Sequence, residues 1–294
     1  MESTVKPLEL IVAPPAYHMV GDGFRVHNFI PSVYRLDMHR MDPFIMMDYN
    51  SKFMFPPSPQ QRGVGVHPHR GFETVTLAYH GRVAHHDSAG NSGIIGEGEV
   101  QWMTAASGVL HKEYHEKSFS ESGGYFQMVQ LWVNLPAKDK MSPPKYQAIT
   151  RADIQPIILD EQGSRLELVA GFYKDQKGPA STFTPVHIST AYLKQNGEVN
   201  MHFPAHYTVC MVAIEGEVVV NAEDVLPQDH LGLFQNQGES FTLQAKGAAA
   251  ILILAGEPIK EPIAAHGPFV MNTRAELVQA FNDFNAGLFG ELAD

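Results

Sequence analysis

An all-β protein in two domains is the fold class this sequence predicts, and three observations predict it. Its 294 residues exceed a typical single domain and suffice for two ordinary cores. The chain is 44% hydrophobic, yet 25 glycines and 20 prolines cut it into segments too short for long helical periods. Between those breaks lie runs of strand length rich in Val, Thr, Tyr, Phe and Trp.

In chain order, the first strands are Thr74 to Tyr79, Val100 to Thr104 and Phe126 to Val133. Turn chemistry separates them. His86-Asp87-Ser88-Ala89-Gly90-Asn91-Ser92-Gly93 and Gly96-Glu97-Gly98-Glu99 supply positive φ and side-chain turns. Closely spaced strands with tight returns predict a sandwich or barrel. After Asn134-Leu135-Pro136, the stretch Ala137 to Pro144 is polar and closed by proline, which suits a linker. The chain therefore divides into residues 1–136, a linker at 137–146 and a second domain at 147–294. Strands resume at Leu166 to Ala170, His187 to Leu193, Val209 to Ile214, Glu217 to Val220 and Ala249 to Leu254. The longest apolar run, Ala248 to Ala255, is far shorter than the ~20 residues a membrane helix needs and reads as a buried strand. One helix stands near the end. Thr273 and Glu276 form a capping box, Leu277, Ala280, Phe281, Phe284 and Leu288 form an apolar face, and Gly287 is a stop. Its expected work is packing.

Charge narrows the function classes. With 21 Lys and Arg against 32 Asp and Glu the net charge is −11, and no basic run is present to neutralise phosphates, so direct nucleic-acid binding is not expected. The single cysteine, Cys210, has no partner for an internal disulfide and sits in the apolar stretch Thr208 to Ile214 as a core residue. Glu2, Lys6, Pro7, Pro14 and Pro15 match neither a signal peptide nor a transit peptide, which predicts a cytoplasmic protein without membrane association.

The chemistry is carried by two pairs of residues. In His67-Pro68-His69, two imidazoles one residue apart share a face if the segment is extended. Alone the pair is weak, because 15 histidines produce about one such spacing by chance. His111-Lys112-Glu113 repeats the spacing with an imidazole and a carboxylate. Distant strands of a barrel face one another across its interior, so these four side chains can converge on one ion. Three imidazoles and a carboxylate suit a divalent metal such as Fe, Mn, Ni, Cu or Zn, and lack the thiolates of a closed structural zinc site.

His67-Pro68-His69-Arg70-Gly71-Phe72-Glu73-Thr74-Val75-Thr76, Gln101-Trp102-Met103-Thr104-Ala105, Gly108-Val109-Leu110-His111-Lys112-Glu113 and Gln130 to Pro136 resemble the pirin signature. Ala255-Gly256-Glu257-Pro258 and His266 to Asn272 extend the resemblance, which runs from about Asp42 to Phe284. It implies two tandem cupin-type β-barrels with a short C-terminal helix. It implies one divalent metal, usually Fe(II), in the first cupin, held by His67, His69, His111 and Glu113, and a second cupin without metal. The implied reaction is oxidative ring opening of a flavonol such as quercetin, with Glu113 as ligand and base. The implied alternative is a non-catalytic metal- or redox-sensing regulator that binds transcription or metabolic-enzyme partners, located also in the nucleus in a eukaryote. A monomer is the family-based expectation. Two departures, Ala106-Ser107 and Lys112, bear on pocket shape rather than ligation.

Other candidates have plain readings. His85-His86-Asp87-Ser88 reads first as an Asx-type turn and second as a place where His86 or Asp87 orients a ligand. Glu73 reads as a supporting or surface charge. His115 lines the pocket mouth only if its strand extends that far. His202 and His206 flank Pro204 at a spacing unsuited to a second metal. Trp102, Trp132, Phe126 and Met103 read as core before cavity wall.

Overall fold

The computed structural model describes residues 4–293, so Glu2 of the N-terminal reading lies outside them. About half of the chain is strand, in two compact units.

The first barrel comprises Pro15–Thr150 and Ile259–Asp294. Its larger sheet runs in the order Lys145–Ile149, Val100–Thr104, Phe72–His80, Gly124–Asn134, Phe44–Phe55, Phe24–Ile30, His18–Val20. Its smaller sheet runs Gly63–His69, Val109–His115, Val83–Asp87, Ser92–Ile95. Neighbouring strands are antiparallel, with side chains alternating between faces. In Val109–His115 the odd-numbered residues are buried and the even-numbered ones are half-exposed. One end is closed by Phe24, Phe55, Phe119 and Phe126. Phe119 comes from a short helix the sequence reading did not anticipate, Lys117–Ser122, whose N-cap carboxylate on Glu116 accepts from two backbone N–H groups.

The second barrel comprises Met1–Pro14 and Arg151–Pro258. Its larger sheet runs Leu8–Val12, Leu231–Phe234, Thr208–Glu215, Ala249–Gly256, Val186–Leu193, Arg165–Ala170, Pro156–Ile158. A smaller sheet runs Glu198–His202, Ser240–Ala245, Val218–Val220, Asp224–Leu226. Ala249–Gly256 is buried along its whole length, as its unbroken apolar run requires, and Cys210 is buried in the core.

The units do not follow the linear division at 136 and 147. Leu8–Val12 pairs with Leu231–Phe234, and the Lys6 ammonium donates to the carbonyls of Ala205 and Gln235, so the N-terminal stretch completes the second barrel. The C-terminal stretch completes the first. Its hairpin, Ala264–His266 with Phe269–Met271, is fixed where the Val270 N–H donates to Arg70 O at 3.0 Å. The helix Arg274–Asn285 buries Leu277 and Ala280 against Phe269, Met271 and Phe289. Its capping box forms as the sequence predicts, while Leu288 is exposed. The expected linker is also partly structural. Lys145–Ile149 pairs with Val100–Thr104, and the buried Lys140 ammonium donates to Gly71 O, Asn134 Oδ1 and Val270 O at 2.7, 2.6 and 2.9 Å. Polarity at Lys140 therefore marks a fastening point inside the barrel, where three oxygens offset the desolvation of the charge.

Candidate metal centre

The strand Val109–His115 lies at the middle of the site. On one side it pairs with Gly63–His69, setting His111 opposite His67 and Val109 opposite His69, with a bulge before Glu113. On the other it pairs with Val83–Asp87, setting His111 opposite Asp87 and Glu113 opposite His85. Directly opposed residues of an antiparallel pair share a face, so one inner surface gathers the imidazoles and the carboxylate. One donor atom each of His67, His69 and His111 lie within 4.8 Å of one another, and so do one each of His85, His111 and Glu113. His111 belongs to both groups. Through His111 the three histidines singled out by the sequence adjoin Glu113, and His85 belongs to that second group.

The hydrogen bonds leave nitrogen lone pairs free. His67 Nδ1 contacts Gly65 O at 2.8 Å and His69 Nδ1 contacts Pro268 O at 3.3 Å, so each Nδ1 carries the proton and each Nε2 keeps a lone pair. His111 is fully buried, and neither of its ring nitrogens has a hydrogen-bond partner. Buried polar atoms without partners are rare and costly, and an ion among them removes the cost. Burial, reinforced by the neighbouring His67, holds His69 and His111 well below the ordinary imidazole value, which keeps both in the neutral ligating form. The residues therefore fit a divalent metal of the borderline class.

Glu113 is held from the opposite sheet. Gln130, Thr76 and Gln101 occupy one row across three adjacent strands. Gln101 Nε2 donates to Glu113 Oε1 at 2.6 Å and Gln130 Nε2 donates to Oε2 at 2.8 Å, with Thr76 Oγ1 3.1 Å from Oε1. The carboxylate is thereby aimed before any ion binds. Trp132, on the same face as Gln130, lies edge-on to His69 at 5.0 Å and stacks on Phe72 at 4.1 Å. Of the four candidate wall residues it is the one that walls the site; Trp102, Met103 and Phe126 are core. His67, half-buried, marks the open side.

The remaining candidates resolve differently. Glu73 is buried, not a surface charge: it accepts from Thr104 Oγ1, and burial pushes its pKa up to about 7. His115 is on the strand but away from the mouth, ringed by Phe24, Phe55, Phe119 and Phe126, where burial lowers its pKa to about 4. His202 and His206 are exposed, the latter 3.5 Å from Glu257. His85-His86-Asp87 ends a strand, and the expected Asx-type turn starts at Asp87, whose Oδ1 accepts from the Ala89 and Asn91 N–H groups. His85 and Asp87 repeat the i, i+2 spacing of the two candidate pairs, a signal masked by the turn residues that follow.

Comparison with known proteins gives a consistent result. The family model Pirin matches residues 23–133 and the model Pirin C-terminal cupin domain matches residues 189–290. A Pseudomonas aeruginosa protein provisionally named a quercetin 2,3-dioxygenase is 44% identical over 92% of this chain and 94% of its own. A crystal structure titled quercetin 2,3-dioxygenase from Acinetobacter baumannii aligns with TM-score 0.92 and 47% identity over 98% of this chain and 99% of that one. A bacterial pirin from Escherichia coli in complex with nickel(II) aligns with TM-score 0.64 over 85% of this chain and 100% of its own, and at 17% identity it shows the fold alone. Two cupin domains in this order, matched by both models and by relatives of nearly the same length, place the chain in the pirin family.

Proposed function

We propose that this pirin is a metal-dependent dioxygenase that opens the heterocyclic ring of flavonols such as quercetin with O2, and that His67, His69, His111 and Glu113 hold its metal, Fe(II) in the working enzyme. The observation that carries the reading is the fully buried His111 with two unpartnered ring nitrogens, placed against His67, His69 and a pre-aimed carboxylate. The names of the Pseudomonas and Acinetobacter relatives support the substrate class.

When bound, the metal supplies Lewis acidity to the flavonol oxygens and a route for electrons to dioxygen. The chain does the rest. Glu113, fixed by Gln101 and Gln130, accepts the proton of the flavonol 3-hydroxyl at a carboxylate oxygen. Trp132, stacked on the buried Phe72, offers an aromatic surface beside His69 against which a planar ring system can lie. The buried sides of His69 and His111 keep water from that face.

The test is metal analysis of the purified protein, then anaerobic Fe(II) reconstitution and oxygen uptake with quercetin, with free Fe(II) as control. Stoichiometric metal with turnover that His69→Ala and Glu113→Ala each reduce at least 100-fold is expected. Stoichiometric metal without turnover overturns the enzyme reading in favour of a metal-sensing regulator, and a protein that takes up no metal overturns both.

A further inference from the structure

The four proposed ligands leave one buried imidazole at the same centre without a role. His85 is fully buried and sits directly across the ladder from Glu113. One donor atom of it falls within 4.8 Å of donors on His111 and Glu113.

Its protonation is set by its neighbours. His85 Nε2 lies 3.2 Å from Asp87 Oδ2. Asp87 Oδ1 accepts from the Ala89 and Asn91 backbone N–H groups, and Asn91 Nδ2 donates to both carboxylate oxygens, so Asp87 is an acceptor fixed in place. The proton therefore resides on Nε2, and Nδ1 is left with a lone pair, buried and without a hydrogen-bond partner. Two further contacts prevent the ring from turning away. Tyr146 stacks on it at 5.0 Å and 16°, and the Tyr146 hydroxyl donates to Gln101 Oε1, the amide that also grips Glu113.

An imidazole whose N–H is spent on a fixed carboxylate and whose other nitrogen is bare is the arrangement found where histidine binds metal. We propose that His85 is a further nitrogen donor of this metal centre, with Asp87 fixing the tautomer that frees Nδ1. This deepens the metal-site reading above and rests on it. A fourth imidazole shifts the donor set toward nitrogen, favouring Fe, Co, Ni, Cu and Zn over Mg, Ca and Mn.

The test reads the metal directly. In the full-length apo protein, 15N-detected histidine spectra are recorded before and after one equivalent of Zn2+, and Co2+ affinity and visible absorption are compared between wild type, His85→Ala and Asp87→Asn. Asp87→Asn keeps the Oδ1 that accepts from the Ala89 and Asn91 N–H groups, but its amide donates to Nε2 and drives the proton to Nδ1. Expected are a shift of the His85 Nδ1 resonance with those of His67, His69 and His111, a Co2+ affinity roughly 10- to 100-fold weaker in both variants, and displaced absorption bands. A His85 Nδ1 resonance that stays put while the other three move overturns the proposal, even if a variant fails to fold, as does a wild type that takes up neither ion. The two readings fail separately: quercetin turnover with an unmoved His85 sinks this one alone, and a moved His85 without turnover sinks only the oxygenase.

Discussion

At the scale of single residues, the row Gln130, Thr76 and Gln101 decides whether Glu113 is a ready ligand or a costly buried charge. Replacing Gln130 with leucine leaves Oε2 of Glu113 without its donor at 2.8 Å. Gln130→Leu is expected to weaken metal binding about 10-fold or more, measured by calorimetric titration with Co2+, while leaving the proposed ligands in place. The two i, i+2 pairs were legible because a period of two is a local property of any strand. His85 was not, because five residues with three polar side chains and a following Gly-Asn read as turn, and only pairing with Val109–His115 makes them a strand. Lys140 was illegible for a different reason: its three acceptors belong to residues 71, 134 and 270, which no local pattern links.

At the scale of elements, the terminal helix shows how a local signal and a distant contact contribute unequally. Its capping box is local, and Thr273→Ala, which removes the acceptor for the Glu276 N–H, should cost about 1 kcal/mol. Arg70 is the distant counterpart. Its guanidinium donates to Ser107 O at 2.7 Å and Asp283 Oδ2 at 2.7 Å and covers the Phe289 ring at 4.6 Å. Arg70→Met strands these partners and should cost about 3 kcal/mol in urea unfolding, several times the effect at the cap. It should also loosen the metal, because Arg70 adjoins His69 and pairs with the segment whose Pro268 carbonyl holds the His69 ring. The sequence located the helix to within a residue or two, since caps and an apolar stripe are written locally. What it packs against was written nowhere in that stretch.

At the scale of the whole molecule, the all-β class and two domains were legible from punctuation and strand composition and the two barrels from the resemblance to pirins, whereas the assignment of the termini was not, because edge pairing depends on sheet geometry rather than on order along the chain. Stability should depend on pH through the second barrel. His187 donates from Nδ1 to Phe172 O at 3.2 Å and accepts at Nε2 from the Ser189 hydroxyl at 2.7 Å, so both nitrogens are used by the neutral ring, and burial lowers its pKa from 6.5 to about 4. The folded state then binds fewer protons than the unfolded one between those values. Stability is full above pH 6.5 and falls as the pH drops toward 4, by about 3 kcal/mol at the lower end. Urea unfolding of the second barrel at both ends of that window checks this, and His187→Gln should flatten the dependence. The exchanged termini also bear on biosynthesis. A ribosome releases residues 15–150 long before 259–294, so the first barrel waits for this later segment before the Pro268 carbonyl can reach His69. A chain cut short by a premature stop would carry every proposed ligand and still lack a finished site, which makes complete translation a condition for metal capture.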